Sequence, residues 1–367
     1  MRTALYLSTF LAGIAAASMA LAAEGVTAMS PKGGTPDVVR AKARPLPISK
    51  QGGSGIAKAV ARLPALGPSG VVAGSVGNGR MTPVYEPAPQ PPRQAGSGGR
   101  SSQQYGTGNH PFTTSRANGQ SFKVTDAYPW RATGKLFFTI AGDSYVCSAS
   151  LIKKGVVLTA AHCVIDYGTG SGGVFSGITF KPAYSNGTSS YGSWTAQKVY
   201  VRSPYVNGTD NCAAGAEGIV CENDVAVIVV KTQSGAYPGT STGWYGYGYG
   251  GYSYVGGLVQ ITQLGYPVAL DDGGLMERTD SYGYVDADSV NNTVIGSRQT
   301  GGSSGGPWLV NFGIRPSQTA GYDEGAYGSA STPNIAVGVT SWGYTGPDGM
   351  LVKQQGASPF LSTNIQS

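Results

Sequence analysis

The chain has 367 residues, 40% of them hydrophobic and only 12% charged, which is enough for two packed units or one unit with a long extension. Its formal charge of +6 is uneven: residues 1–109 hold 11 Lys+Arg against 3 Asp+Glu, and residues 110–367 hold 14 against 16. The basic charge thus belongs to the extension, which argues against a nucleic-acid-binding domain, and the two histidines, His110 and His162, exclude a His-rich metal site.

The N-terminus reads as an export signal. Arg2 gives a positive start, an apolar run follows from Ala4 to Leu21, and Ala20-Leu21-Ala22 suits cleavage after Ala22. A membrane anchor is the competing reading, but the run is alanine-rich and lacks a charged stop beyond it. Export places the chain outside the cell or in the periplasm, with no membrane attachment once residues 1–22 are removed. Four cysteines in an exported chain suggest two disulfides.

Residues 23–115 are rich in Gly, Pro, Ser and Ala, as in "EPAPQPPRQAGSGGRSSQQYGTGN". With few aromatics and weak periodicity, such a stretch buries too little apolar surface to offset its chain entropy. It reads as largely disordered, either a flexible linker or a pro-segment removed after export; Arg100 and Arg116 are possible cut sites.

Beyond this extension the character changes. Short β-branched and aromatic runs recur between Gly, Asn, Asp and Ser: "KLFFTI", "GVVLTA", "QKVYV", "DVAVIVV", "LVQITQLGY", "NTVIGS", "PWLVNF" and "NIAVGVTSW". None keeps a helical period. About twelve such runs predict an all-β fold, and two small barrels fit better than one large sheet. "GWYGYGYGGYSYVGG" (243–257) reads as a surface loop and strand start, or as an aromatic platform lining a groove. "DADSVNN" (286–292) lacks the glycine and Glu spacing of a calcium loop and reads as a hairpin turn.

Three further features bear on chemistry. His162 follows an apolar run in "VVLTAAHCV", flanked by small residues. Asp224 in "CENDVAVIVV" stands at the mouth of a strongly apolar strand, where a carboxylate needs a donor such as an imidazole N–H. Asp166 and Asp210 are competitors in more polar surroundings. In "GGSSGGPW" (301–308) glycines frame two serines just before a buried-type run, giving the clearance an oxyanion site needs. A serine hydroxyl needs a base, the base an orienting acceptor, and the oxyanion backbone donors.

"CSASLIKKGVVLTAAHC" (147–163), "NDVAVIVV", "GGSSGGPW" and "GVTSWGY" (338–344) together resemble chymotrypsin-like serine peptidases, in the order His, Asp, Ser, over about Tyr128 to Phe360. The start "YPWRATGKLFF" and the few cysteines look closer to the bacterial secreted, glutamyl-endopeptidase-like branch. The resemblance implies two antiparallel six-stranded β-barrels, over residues 116–236 and 237–367, with the active site in the cleft between them. It implies Ser304 as nucleophile, His162 as general base and Asp224 as the residue orienting it. Gly302 and Ser304 match the oxyanion-hole amides, and Ser341, Trp342 and Gly343 the segment that pairs with the substrate backbone. It pairs Cys147 with Cys163, which leaves Cys212 and Cys221 to each other. Protein or peptide substrates are implied, with no cofactor or metal, and oligomeric state stays open. A catalytically idle homologue that binds or adheres is the alternative.

Two departures stand out. The trypsin branch has Asp before the nucleophile, paired with the α-amine that activation frees; here that position is Ser303 and the Ile-Val-Gly-Gly start is absent. A pro-segment would then act by covering the cleft or assisting folding. Six residues before Ser304, at the pocket floor of trypsins, stands Arg298. Buried, it would favour an acidic side chain before the cut; pointing to solvent, it would not.

Overall fold

The computed structural model describes residues 25–33, 44–45, 49–52, 69–79, 84–85, 111–119, 122–212, 221–254, 257–286, 292–313, 332–345 and 351–365. The expected signal peptide and His110 lie outside them.

Two closed antiparallel barrels of six strands make up the body. The first contains β1 (Thr133–Ile140), β2 (Asp143–Lys153), β3 (Val156–Thr159), β4 (Ser176–Pro182), β5 (Trp194–Arg202) and β6 (Ala226–Val230). Its ring runs β1–β2–β3–β6–β5–β4 and back to β1. The second contains β7 (Leu258–Gly265), β8 (Glu277–Asp286), β9 (Asn292–Gly296), β10 (Pro307–Val310), β11 (Ile335–Thr345) and β12 (Leu351–Pro359). Its ring runs β7–β8–β9–β12–β11–β10 and back to β7. Closure removes the sheet edges that a half-apolar strand would otherwise expose.

The apolar runs supply the cores. In β6 the alternation places Ala226, Ile228 and Val230 inside. Leu136, Leu151 and Leu158 from β1, β2 and β3 are fully buried beside them, each contributing about 1.5–3 kcal/mol by leaving water. The same core continues through Leu264, Leu309 and Val339 of the second barrel, so the two barrels are packed together.

The Tyr/Gly stretch is not a surface loop. Gly246–Tyr249 is a strand beside β11, Tyr245 and Tyr247 are buried, and the Tyr245 hydroxyl meets Thr133 Oγ1 at 2.9 Å and the Pro129 carbonyl at 2.8 Å. The glycines allow this packing: a Cβ at Gly246 would stand 2.3 Å from the Val72 carbonyl oxygen.

Stretches of the N-terminal extension lie on the barrels as short strands. Val26–Met29 pairs with β5, Arg44–Pro45 with β2, Ser49–Gly52 with β11, Gly70–Val72 with Gly246–Tyr249, and Phe112–Arg116 with β8. These contacts are backbone ladders. Pairing through backbone groups asks for no apolar burial. Arg131, fully buried, donates from Nε to the Thr242 carbonyl at 2.9 Å and from Nη2 to the Val76 carbonyl at 2.8 Å, tying residues 75–79 to the segment that joins the barrels.

Candidate active site

His162 lies in a single helical turn, Ala161–Cys163, just beyond the end of β3. Cys163 of that turn is disulfide-bonded to Cys147 of β2. The second disulfide, Cys212–Cys221, closes the loop before Asp224. Asp210, one of the competing acids, accepts the Asn223 amide at 2.8 Å and the Asn223 side chain at 2.7 Å, so it positions that loop; Asp166 is exposed.

Asp224 is fully buried two residues before β6. Its Oδ2 lies 2.7 Å from His162 Nδ1, its Oδ1 accepts the His162 backbone amide at 2.9 Å, and Ser341 Oγ also donates to Oδ2. A buried carboxylate requires such donors. Nδ1 facing a carboxylate carries the ring proton, which leaves Nε2 as the acceptor of the neutral imidazole. His162 Nε2 and Ser304 Oγ are both buried, and neither has a hydrogen-bond partner among the described residues.

Ser304 sits in the turn that enters β10. Gly302 has φ +98° and Gly305 φ +75°, conformations that favour glycine. A Cβ at Gly305 would stand 2.0 Å from Thr159 Oγ1 and 2.9 Å from the Ala160 nitrogen, so the Ser304 turn lies against the chain two residues before His162. Ser148 of β2 grips the turn: its amide donates to the Ser304 carbonyl at 2.7 Å, and its hydroxyl donates to the Gly302 carbonyl at 2.8 Å while accepting the Tyr266 amide at 2.9 Å. The amides of Ser303, Gly305 and Gly306 are bonded within the protein, whereas those of Gly302 and Ser304 meet no acceptor among the described residues. Two amides without an acceptor beside a serine hydroxyl are donors open to an anion.

Residues 117–352 match the family model described as Trypsin. The chain belongs to the trypsin family. It is similar to the solved structure of protease Anisep from Arthrobacter nicotinovorans, at 26% identity over 63% of this chain and 90% of that one, with a TM-score of 0.47. It is also similar to the thermostable serine protease AL20 from an extremophilic microorganism, at 24% identity over 64% of this chain and 94% of that one, TM-score 0.47. A Glu endopeptidase shares 21% identity over 69% of this chain and 93% of that one, TM-score 0.43. No curated protein matches the chain.

Within this trypsin-family site, Ser303 is held by neutral groups. Its hydroxyl donates to the Thr300 carbonyl at 2.7 Å and accepts from Gln355 Nε2 at 3.2 Å. Gln355 Nε2 also donates to the Gln299 carbonyl at 2.9 Å, and its Oε1 accepts from Gln263 Nε2 at 2.5 Å. Gln263 Nε2 reaches Thr340 Oγ1 at 2.8 Å, which accepts the Trp308 indole N–H at 3.0 Å. This buried network of neutral groups holds the residue before Ser304. No local sequence signal announces it, because glutamines from β7 and β12 meet only in the closed barrel.

Ser341, Trp342 and Gly343 lie in β11 and are buried. Trp342 packs on Gly356, where a Cβ would stand 2.0 Å from the indole. Ser341 has a role the sequence did not suggest, as a donor to Asp224. Of the two alternatives for Arg298 the structure has the exposed one: Ser297 and Gln299 on either side take the inward positions, so Arg298 points out. It lines an open pocket of about 330 Å³ with Thr114, Arg116, Asp271 and Glu277. In that pocket Arg116 is ion-paired to Asp271. Burial, then the hydrogen bond to Asp271 and its charge, push the Glu277 carboxyl up to about 8.

Proposed function

We propose that the chain is an exported serine endopeptidase that cleaves peptide bonds through an acyl-enzyme. Ser304 Oγ attacks the peptide carbonyl carbon while its proton passes to His162 Nε2. The oxyanion is met by the Gly302 and Ser304 amides. On collapse the C–N bond breaks and Nε2 returns the proton to the departing amine. Water then repeats the sequence on the ester and frees the acid and Ser304. Two disulfides support an oxidising, exported setting.

The observation that carries this reading is the double hold of Asp224 on His162, through Nδ1 and through the backbone amide, which leaves Nε2 as the acceptor, with the Ser304 turn lying against the chain two residues before His162. The test is covalent labelling by an organophosphonate together with peptide turnover in Ser304→Ala. Label on Ser304 and a fall in kcat of about 10⁶-fold in the variant are expected. Absence of label with a folded protein would favour an idle binding homologue instead.

A further inference from the structure

Both barrels carry a strand that outruns its neighbour. β3 pairs with β2 only at Ser150–Lys153, then gives way at Thr159 to the turn that holds His162. The Tyr145–Val146 part of β2 therefore has no β3 beside it. β10 starts at Pro307, just after the Ser304 turn, and pairs with β11 only over Ile335–Val339. The Trp342–Thr345 part of β11 therefore has no β10 beside it. The breaks that create the two chemical turns thus also expose two lengths of strand edge flanking them.

Both edges are occupied by one short stretch of the N-terminal extension. Arg44 and Pro45 pair with Tyr145 and Val146, and Ser49–Gly52 pairs with Trp342–Thr345, both in parallel. Pro45 and Ser49 are four residues apart, which limits their separation to about 14 Å. Pro45 is therefore next to the strand that carries Cys147 and Ser148, and Ser49 next to Ser341, the donor to Asp224. The two described parts of the stretch thus lie one on each barrel, beside the strands that flank His162 and Ser304.

Its direction matters. His162 belongs to the first barrel and must protonate the departing amine. A cleavable peptide therefore has its leaving, C-terminal part toward the first barrel and its acyl, N-terminal part along β11. The Arg44–Gly52 stretch runs the other way, with its N-terminal part on the first barrel and its C-terminal part on β11. Each edge amide and carbonyl can ladder with one partner strand at a time, so this stretch and a substrate exclude one another.

We propose that Arg44–Gly52 is a built-in inhibitor: a reversed strap whose two paired parts, Arg44–Pro45 and Ser49–Gly52, occupy the strand edges a substrate would use, hold by their backbone, and resist cleavage because their polarity is inverted. The proposal rests on the peptidase reading above and adds how the site is kept latent. It gives the cleft-covering role, rather than the folding role, to this part of the extension.

The test compares the full-length chain with Lys50→Pro/Gln51→Pro. Alternate residues of a parallel strand face the partner, so two adjacent prolines remove at least one ladder donor. The readout is the initial rate of organophosphonate labelling of Ser304, followed by intact mass so that only full-length molecules are counted. The variant should label about tenfold faster or more, as expected if the strap keeps the open form a minor state. Lys50→Ala/Gln51→Ala, which keeps the backbone donors, should label at the parent rate. Equal rates in parent and proline variant, with label on Ser304 in both, would overturn the strap and leave the peptidase reading standing. No label in either overturns both.

A second measurement needs no substitution. A peptidyl phosphonate with four residues before phosphorus is reacted with the parent chain, and amide hydrogen exchange of residues 49–52 is followed. Exchange there should accelerate once Ser304 is labelled, while amides of β7 and β8 stay protected. Unchanged protection at 49–52 in the labelled protein would refute displacement of the strap.

Discussion

The amide of Ser148 donates to the carbonyl of Ser304 across 2.7 Å, so a strand of the first barrel holds the Ser304 turn of the second. The Ser148 hydroxyl adds a bond to Gly302 and another from Tyr266. Ser148→Ala strands one buried acceptor and one buried donor, at about 1–3 kcal/mol each. We expect a lower Tm and a kcat reduced more than KM, because the Gly302 carbonyl that fixes the anion-binding turn is released. Unchanged kcat in a destabilised variant would show that the bond is merely structural.

Gly305→Ala tests the contact between the turn and the His162 side of the cleft. The backbone there is left-handed, and the new Cβ would meet the Ser148 carbonyl and the Ala160 nitrogen, backbone atoms that cannot withdraw without moving the first barrel. The conformational term alone costs about 1–2 kcal/mol. Thermal denaturation should show a Tm lowered by roughly 5 °C or more. Activity should fall with it, since Ser304 moves with its neighbour.

Gln355 is predicted to replace an ion pair in shaping the nucleophile turn. Gln355→Leu leaves Ser303 Oγ without its donor and Gln263 Nε2 without one of its acceptors. A fall in kcat at nearly constant KM is expected for loss of a positioning group. Because the network is neutral, changing the first residue of the mature protein should leave kcat as it is. Dependence on one particular N-terminal residue, measured in a set of such variants, would contradict this.

Glu277 provides a pH prediction. Its carboxyl is held up to about 8, above its ordinary value, so the folded state keeps a proton that the unfolded chain has already lost. Stability therefore falls as pH rises from the ordinary glutamate range through about 8. Glu277→Gln removes the titration. Tm against pH should be flatter over this window in the variant, with the largest gain near pH 8 and little difference at pH 4. Parallel curves for the two proteins would exclude Glu277 as the cause.

The barrels and the groups at their cleft were legible because each rests on local sequence. The β-branched runs mark strands, Cys163 marks the turn beside His162, and glycines mark the turn of Ser304. What could not be read joins distant strands. Ser341 reaches Asp224 across 117 residues of sequence, and Gln263 reaches Gln355 across 92. The Tyr/Gly stretch misled for a related reason: alternating glycines look like a loop until a neighbouring backbone is found to need the space. Arg298 was ambiguous because position alone does not say which way a side chain turns, and the inward places went to Ser297 and Gln299.

Arg131 would give any trimming of the extension a thermodynamic side. Its Nη2 has the Val76 carbonyl as acceptor, while its Nε keeps the Thr242 carbonyl inside the body. A protein trimmed beyond residue 79 would strand one arm of a buried cation, at a cost of about 1–3 kcal/mol. A cut between residues 52 and 69 would detach the Arg44–Gly52 stretch from the body yet spare that contact. Activation and durability would thus be set by different bonds of the same extension, and the position of the cut would decide whether the active enzyme is also a long-lived one.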